Sequence, residues 1–491
     1  MLPLISIVLA TLLVGTVATF AAGARARWVA LATAAVFVGE VGLMFLDYTG
    51  WPGYNGLLVP GFAESESYAW IHLSWLQVNY TVGVDGISLV LILLTAILQI
   101  ATVVYSWGEE HRPSAYFGLV SLTCLGSFGV FVSLDVLLFF LFWEAVLVPM
   151  FFLIGYWGGP RRRYAALKFF VYTHVASIVM LVGLLATVFY SGSTSLDFAS
   201  VYASARSLAP VTQTFLFLAM FFGFGVKFPI VPFHTWLPDA HVEAPTGGSV
   251  LLAGLLLKLG GYGLIRWAVE VLPVGFAHAR PLLFAVAFAS IAWGSVVALS
   301  QRDLKRMVAY SSINHMGIVL LAIAVGSSLG LMAAVLLMFA HGVVSGLLFM
   351  TAGSVHHTFG TRDIAGIGGI TPSTPALSTM IMAGSLASLG LPALISFPAE
   401  FAALLATWDA LGYWVFLPLG ILVVTAAFYL WMMQRMLFGP PKGVPAPVHD
   451  VPWYEGAGMG LLVALTVLFG ILPGLLVNVI VSSPVKGFPG T

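Results

Sequence analysis

Apolar runs of about 20 residues recur along almost the whole chain, and each is long enough for a helix to cross the roughly 30 Å hydrocarbon core of a bilayer. Short polar segments separate the runs. The pattern predicts about 14 transmembrane helices, over residues 3–22, 28–47, 84–107, 115–133, 136–157, 165–190, 213–231, 247–271, 281–300, 306–326, 330–355, 376–407, 413–437 and 456–481. The longest polar excursion, from Asp47 to Asn79, is expected to be an extramembrane loop with amphipathic pieces.

Composition supports a membrane protein and excludes several other classes. The 491 residues are 60% hydrophobic and only 8% charged, so a soluble domain could not cover its apolar surface. The zero net charge argues against a nucleic-acid partner. The single cysteine, Cys124, excludes a disulfide framework and a Cys-bound iron–sulfur cluster, and we expect it to be a small apolar core residue. We therefore predict an all-α, multi-pass membrane protein.

Basic residues are distributed unevenly between the two sets of loops. Loops that follow odd-numbered spans contain most of them: Arg25, Arg27, Arg112, Arg161, Arg162, Arg163, Arg302, Lys305, Arg306, Arg362, Arg435 and Lys442. Loops after even-numbered spans contain only Arg206 and Arg280, with Arg266 near a helix end. The positive-inside rule then predicts that both termini face the outer, periplasmic side. Because the first apolar run has its arginines after it rather than before it, we expect a retained first helix and not a cleaved signal peptide.

Six ionisable residues lie at mid-depth in the predicted spans. Each costs about 2.5–3.5 kcal/mol on insertion scales unless it faces protein or water, so such residues usually mark an ion or proton path. Burial favours the neutral form of a lysine, a nearby carboxylate favours the charged form, and a histidine relays protons near neutral pH. We therefore predict a proton relay formed by Glu144, Lys227, Lys258, His315, His341 and Glu400.

Two of the predicted spans contain prolines beside an ionisable residue. Pro229 and Pro232 follow Lys227 in the seventh span, and Pro392 and Pro398 lie beside Glu400 in the twelfth span. Proline interrupts the helical hydrogen bonds and frees carbonyl groups that must face protein or water. Two broken helices five spans apart, each beside a charge, are typical of inverted-repeat transporters.

Other polar positions leave alternatives open. His174 is expected to make an interhelical hydrogen bond, and Glu144 is either a relay group or a structural partner of Lys227. Glu40 resembles a polar interhelical contact and is left unassigned. The segment HTWLPDAH is either an inward-facing loop at a proton entrance or a plain interfacial turn, and its histidine spacing is not that of a zinc site.

Three stretches of the sequence resemble the antiporter-like subunit M (chain 4) of respiratory complex I, the NADH–quinone oxidoreductase, which is related to the large subunits of Mrp-type antiporters. They are LDVLLFFLFWEAVLVPMFFLIGYWGG, GFGVKFPIVPFHTWLPDAHVEAPTGGSVLLAGLLLKLGGYG and DLKRMVAYSSINHMG, and the similarity covers roughly residues 80–440. The resemblance implies 14 helices with two inverted five-helix repeats. It divides the chain into residues 1–110 (helices 1–3 with a loop), 111–440 (a proton-translocating core) and 441–491 (helix 14).

The resemblance also implies a role for each of the six residues. Glu144 matches the fifth-helix glutamate, Lys227 its seventh-helix lysine partner and Lys258 the central eighth-helix lysine. His315 and His341 match the polar relay, and Glu400 matches the acid of the twelfth helix. The segment ALISFPAEF departs from the glycine-rich sequence common before that acid, which puts the local geometry in question.

The function implied by the resemblance is that of a proton-translocating subunit of a proton-pumping NADH:quinone oxidoreductase in an energy-coupling membrane. The chain would bind no cofactor or metal and perform no redox catalysis itself. Flavin, iron–sulfur clusters and quinone would belong to partner subunits, and the partners would include paralogous antiporter-like subunits. Two alternatives stay open: an Mrp-type cation/proton antiporter subunit, and a passive membrane scaffold.

Overall fold

Helices that cross the thickness of a membrane form almost all of the structure. The computed structural model describes residues 3–50, 62–73, 75–443 and 447–483. Within these residues, thirteen helical segments are long and apolar enough to span a bilayer. One of them, Ser396–Met436, contains two helices joined by a 3₁₀ turn, so it accounts for two crossings. Counted in this way, the described chain confirms the predicted number of about 14 spans.

The first half of the chain contains α1 to α12 and a β-hairpin. The bounds are α1 Leu4–Ala21, α2 Ala26–Gly50, β1 Ala63–His72, β2 Gln77–Val84, α3 Gly86–Tyr105, α4 Pro113–Val132, α5 Val136–Ala145, α6 Leu147–Trp157, α7 Arg162–Tyr190, α8 Phe198–Ala205, α9 Pro210–Lys227, α10 Trp236–Glu243, α11 Thr246–Leu251 and α12 Leu257–Gly263. Two π-helical segments, Leu252–Leu256 and Leu264–Val269, flank α12, so that the eighth span is one continuous helix with two changes of pitch.

The second half contains α13 to α20. The bounds are α13 Pro273–Leu299, α14 Leu304–Val325, α15 Ser328–Phe359, α16 Pro375–Ser388, α17 Ser396–Leu411, α18 Phe416–Met436, α19 Trp453–Ile471 and α20 Gly474–Val481. The predicted breaks are confirmed. The seventh span is divided into α9 and α10, and the twelfth into α16 and α17. The inverted repeat itself stays a prediction.

The polar excursion forms an element that the apolar pattern did not predict. β1 and β2 pair as an antiparallel hairpin, with Tyr68 opposite Tyr80 and Val82 opposite Glu66. The remainder of the predicted loop, residues 51–61 and 74, lies outside the described residues. Ser6 of α1 bonds to Glu66 through its hydroxyl and its backbone N–H, which fixes the hairpin against the first helix.

The loops after odd-numbered spans gather at one end of the bundle. Arg27 donates to the Trp107 carbonyl (2.9 Å), and Arg362 donates to the Val242 carbonyl (2.8 Å). Lys442 donates in the same way to the Ala365 carbonyl (2.7 Å). We call this the basic end, and the opposite end, which contains the β-hairpin, the hairpin end. The shared location agrees with the charge pattern; which end faces the periplasm stays a prediction.

Three spans form the centre of the bundle. Every residue of the hydropathic window in the eighth span is buried, and α14 and α15 are almost as enclosed. By contrast, α1, α2 and α7 leave most of their residues at least partly exposed, as lipid-facing helices do. Lys258, His315 and His341 therefore lie on the three most enclosed spans, where lipid cannot reach them.

Candidate functional site

Lys258 lies at the centre of the bundle on the eighth span, and none of its surface is exposed. Its ammonium nitrogen Nζ donates to the Ala253 carbonyl at 2.6 Å and lies 2.7 Å from Nδ1 of His341 on α15. Ala253 belongs to the π-helical segment just before α12, where the wider turn changes the usual pairing of carbonyls. Such π segments are frequent at functional sites. Lys258 thus has two acceptors in an otherwise apolar interior.

His341 connects Lys258 to the next titratable group. Its ring centroid is 5.5 Å from that of His315 on α14. When Lys258 donates to Nδ1 of His341, the neutral ring bears its proton on Nε2, which has no partner among the described residues. A small cavity lies between the two rings, and it is lined by Ser311, Ser345, Ser388 and Ser396. With these hydroxyl groups and two imidazoles, the cavity offers the two to four polar contacts that a buried water needs.

His315 in turn lies against the acid of the twelfth span. Its Nδ1 is 2.7 Å from the Ser311 carbonyl, and its Nε2 is 3.1 Å from the Ser388 carbonyl. Nε2 is also 3.4 Å from Oε1 of Glu400. Both ring nitrogens therefore face acceptors, and only an imidazole with two N–H groups satisfies them together. Both side chains are almost fully buried.

The break in the twelfth span places Glu400. Gly390 has a φ of +76°, and a Cβ at this position would lie 2.6 Å from Oε2 of Glu400. Only glycine fits such a close approach at that backbone angle. The local geometry that ALISFPAEF put in question thus includes a close approach of Glu400 to Gly390, which lies earlier in the chain. The Glu400 carboxylate therefore packs directly against the backbone of Gly390.

The structure thus brings Lys258, His341, His315 and Glu400 into one continuous row, in that order. All four side chains are buried, and they come from four different spans. Sequence analysis predicted these residues with His315 before His341 on the way from Lys258 to Glu400, whereas the structure places His341 beside Lys258, because the order depends on which helices contact each other. Nζ of Lys258 is 2.7 Å from His341, the two imidazole centroids are 5.5 Å apart, and Nε2 of His315 is 3.4 Å from Glu400, so protons could move along the row by rotation of the groups and through an intervening water between the histidines.

Glu144 and Lys227 lie apart from this row. Lys227 ends α9 at the helix break, is 2% exposed, and has its Nζ 5.1 Å from the centre of the Trp143 ring, within reach of a cation–π interaction. Oε2 of Glu144 is 2.8 Å from Nδ1 of His174, whereas Oε1 has no partner. Among the described residues, Glu144 and Lys227 form no direct ion pair. The interhelical hydrogen bond expected of His174 is present. The partnership of Glu144 with Lys227, by contrast, stays a prediction.

Two buried basic groups near the basic end were missed by sequence reasoning. Lys305, which was counted among the loop charges, is 4% exposed and donates to the Ala244 carbonyl at 2.8 Å. His241, the second histidine of HTWLPDAH, is fully buried and stacks on Phe349 with centroids 4.2 Å apart. Neither nitrogen of His241 has a partner in the described part of the chain. The unusual burial of Lys305 follows from its helix lying in the bundle centre, which no local pattern reveals.

A cavity at the basic end reaches these groups. We call it the basic-end vestibule; its lining includes Glu109, Glu243, Lys305, His357, His449 and Glu455. At its rim, Glu243 accepts from the backbone N–H of Arg161 at 2.8 Å. The vestibule gives water a route from one face of the bundle to Lys305 and towards His241.

A second buried charge cluster lies at the hairpin end. Arg266 donates to Oδ2 of Asp85 at 2.5 Å and to Glu270 at 2.8 Å, and the Ser483 hydroxyl donates to the same Asp85 oxygen. Burial by itself would raise the pKa of Asp85, but Arg266 and the hydrogen bonds bring it below its usual value. Burial raises the pKa of Glu270 to about 8, and the nearby Asp85 carboxylate also raises it, while Arg266 opposes both effects. Sequence analysis noted Arg266 only as a charge near a helix end.

Clusters suited to metal binding are lacking in the described part of the chain: no three His, Cys, Asp or Glu side chains come together there with the geometry of a metal site.

Comparison with known proteins gives a consistent result over nearly the whole chain. The model of the NADH:quinone oxidoreductase/Mrp antiporter transmembrane family matches residues 133–428. F(420)H(2) dehydrogenase subunit M of Methanosarcina mazei is 38% identical over 492 residues, covering 98% of this chain and 97% of that protein. NADH-quinone oxidoreductase subunit M of Rhodobacter capsulatus is 40% identical over 475 residues, covering 94% and 90%.

Solved structures share the fold. A chain of respiratory complex I from Thermus thermophilus superposes with a TM-score of 0.87 at 27% identity, covering 98% of this chain and 100% of that chain. A chain of the Mrp complex from Dietzia superposes with a TM-score of 0.86 at 17% identity, covering 99% and 97%, which shows a common fold alone.

Proposed function

Because the chain belongs to the subunit M (chain 4) family of complex I-type oxidoreductases, whose transmembrane domain is shared with Mrp antiporters, we propose that it moves protons across an energy-coupling membrane. The observation that carries this proposal is the buried row Lys258–His341–His315–Glu400. Four ionisable side chains in direct or near contact at mid-depth are costly in a membrane unless they transfer charge.

The proposed path begins at the basic-end vestibule. Protons reach the interior past Lys305 and His241 and load Lys258, which passes them through His341 to His315 and Glu400. Glu400 releases them towards the opposite side. The free energy comes from redox chemistry in partner subunits, where flavin, iron–sulfur clusters and quinone are bound.

Glu144 and His174 support the proposal that a paralogous subunit packs beside this chain. They form a hydrogen-bonded pair at membrane depth, yet 22% of the Glu144 side chain and 41% of the His174 side chain are exposed. A charged pair facing acyl chains is unfavourable, so we infer that a neighbouring membrane subunit covers it. In that assembly, Glu144 and Lys227 couple the row to the neighbour when the distance between them changes.

The test uses the assembly that contains this chain, reconstituted into vesicles and driven by its own electron donor. Lys258→Met and Glu400→Gln should each abolish proton pumping, because each removes one titratable member of the row. Lys442→Met, a lysine exposed at the basic end, is the matched control and should pump normally. Full pumping by both Lys258→Met and Glu400→Gln would refute the relay and support a passive scaffold.

The proposed switch, in which the distance between Glu144 and Lys227 changes, has its own test. Lys227→Ala and Glu144→Ala should both abolish proton pumping in the same vesicles. Full pumping in either variant would exclude the switch while leaving the central row untouched.

An Mrp-type antiporter subunit is the second candidate, because an Mrp chain has almost the same fold. Copurification distinguishes the two candidates. A complex I-type subunit should copurify with quinone-reactive and electron-accepting subunits. The identity of those subunits would then show which electron donor the complex uses. An Mrp subunit should isolate without redox partners, and vesicles containing it should exchange sodium for protons.

A further inference from the structure

Glu455 is a buried carboxylate that the proposed path does not use. It lies in the first turn of α19 at the basic end, and its side chain is 5% exposed. The hydroxyl of Ser354 on α15 donates to Oε2 at 2.5 Å, and Nδ1 of His357 lies 2.8 Å from Oε1. The hydroxyl of Tyr105 is 3.1 Å from that of Ser354 and extends the cluster to a third helix.

The cluster connects water to the interior. The side chain of His357 is 53% exposed and lines the basic-end vestibule, where it can exchange protons with solvent. Glu455 lies behind it, and Ser354 lies deeper still and is fully buried. A solvent-accessible titratable group is therefore bonded to a buried titratable group, which is bonded to a hydroxyl directed into the bundle.

Unpartnered hydroxyl groups continue inward from this point. Ser345 lies about 13 Å further along α15 at the helical rise, and its Oγ has no partner among the described residues. On α16, which packs against α15, Ser378 and Ser385 are also buried and unpartnered within the described chain. A buried hydroxyl without a partner loses about 1–3 kcal/mol, so a hydrophilic column of this kind is stable when it holds water.

The column ends at the central row. Ser345 and Ser388 both line the small cavity between His315 and His341, and Ser388 lies one helical turn beyond Ser385. Gly384, beside Ser385, has no side chain to keep α16 away from Leu348 of α15, another residue of that cavity. The two helices are thus closely packed where the serines meet the histidines.

We propose that Glu455, together with His357 and Ser354, is a second proton-collecting site, which supplies the His315–His341 pair along the serine column of α15 and α16 without passing Lys258. The same vestibule then feeds two intakes, one through Lys305 to Lys258 and one through Glu455 directly to the histidines. This inference rests on the proposed proton-translocating function.

A purely structural role for Glu455 makes different predictions. A carboxylate in the first turn of a helix complements the helix dipole, and a glutamine at that position would keep the hydrogen bond from Ser354. Such a role would require neither a proton on residue 455 nor water beside Ser345. Substitutions of Glu455 and Ser345 that remove the polar or titratable group but keep the shape of the side chain therefore distinguish a structural role from proton transfer.

The experiment compares Glu455→Gln and Ser345→Val in the reconstituted assembly, after equal assembly has been verified by subunit content. Both should lower proton uptake and donor oxidation several-fold. Glu109→Gln is the control for a carboxylate that lines the same vestibule but bonds only a backbone N–H on its own loop. Thr466→Ala is the control for a buried hydroxyl of α19 that is already bonded to its own helix. Both controls should pump normally.

Chemical rescue completes the test. Excess formate on the basic-end side should restore uptake in Glu455→Gln, since a small weak acid can deliver protons into the vacated path, and the wild-type assembly corrects for leak. Normal pumping by Glu455→Gln and Ser345→Val, or a loss in Glu455→Gln without rescue, would overturn the second intake. If Lys258→Met also pumps normally, the proposed function itself fails; if only Lys258→Met is inactive, the second intake alone is wrong.

Discussion

Replacement of Gly390 by alanine tests the row without changing any titratable group. The new Cβ would lie 2.6 Å from Oε2 of Glu400, whereas ordinary contact begins at 3.4 Å, so the carboxylate must move by about 0.8 Å. Oε1 is already 3.4 Å from Nε2 of His315, at the limit of a useful contact. Oε1 has no hydrogen bond among the described residues, so we expect a shift of this size to disrupt its marginal contact with His315.

We expect Gly390→Ala to slow proton transfer rather than to prevent folding. A misplacement near 1 Å costs about 100-fold in rate when transfer depends on geometry, so we expect Gly390→Ala to reduce proton pumping by roughly 10- to 100-fold. The positive φ of +76° adds about 1–2 kcal/mol of backbone strain for a residue with a Cβ. That strain lowers the melting temperature of the assembly modestly, without preventing its isolation.

Gly412→Ala is the matched control for this prediction. Gly412 ends the same broken span with a φ of +56°, and a Cβ there would meet no atom within 4 Å. The control therefore also places a Cβ on a residue with a positive φ, but it leaves Glu400 in place. The two variants are compared by the rate of proton uptake into vesicles and by the number of protons taken up per molecule of electron donor oxidised. Equal pumping by Gly390→Ala and Gly412→Ala would refute the reasoning that the position of Glu400 controls transfer.

Two further predictions concern the buried charge cluster at the hairpin end. Arg266→Met should destabilise the protein by about 3–5 kcal/mol, because it leaves two buried carboxylates without their partner, and a large fall in the melting temperature of the purified assembly would verify this. Adding Asp85→Asn and Glu270→Gln to Arg266→Met should recover much of the loss. The pKa of Glu270, about 8, exceeds its unfolded value, so ionisation lowers stability as pH rises from near 4.5 through 8. Glu270→Gln should flatten the fall in melting temperature over that window; an unchanged pH profile would contradict the assignment.

The sequence was sufficient for the spans and for the six mid-depth ionisable residues. Each span is a long apolar run, and an ionisable residue inside such a run is visible without knowledge of any neighbour. The breaks beside Lys227 and Glu400 were also predictable, because proline removes a helical hydrogen bond wherever the chain packs.

The remainder depended on contacts between distant segments. Lys305 and Arg266 lie near the ends of spans, where basic side chains ordinarily reach water, and only the packed bundle shows that both are buried. Glu455 likewise begins a helix and resembles a solvated N-terminal acid in the sequence. The pairing of Glu144 with His174 could not be chosen over Lys227, because three helices must be placed before the distances exist.

Hydrogen-bond chemistry shows which way the central row is polarised in this conformation. Nζ of Lys258 lies within hydrogen-bond distance of the Ala253 carbonyl and of Nδ1 of His341, and either the ammonium or the neutral amine can donate to both. His315 faces acceptors at both ring nitrogens, and Glu400 lies beside one of them, so the ring needs two N–H groups. The arrangement therefore fits a proton that lies between His315 and Glu400. His341 can take a proton from Lys258 at Nδ1 and give one onward from Nε2 in the same orientation, and it must then rotate or exchange its ring proton before the next transfer. Nε2 has no partner among the described residues, so on that side no hydrogen bond opposes the rotation, whereas the contact of Nδ1 with Lys258 must break.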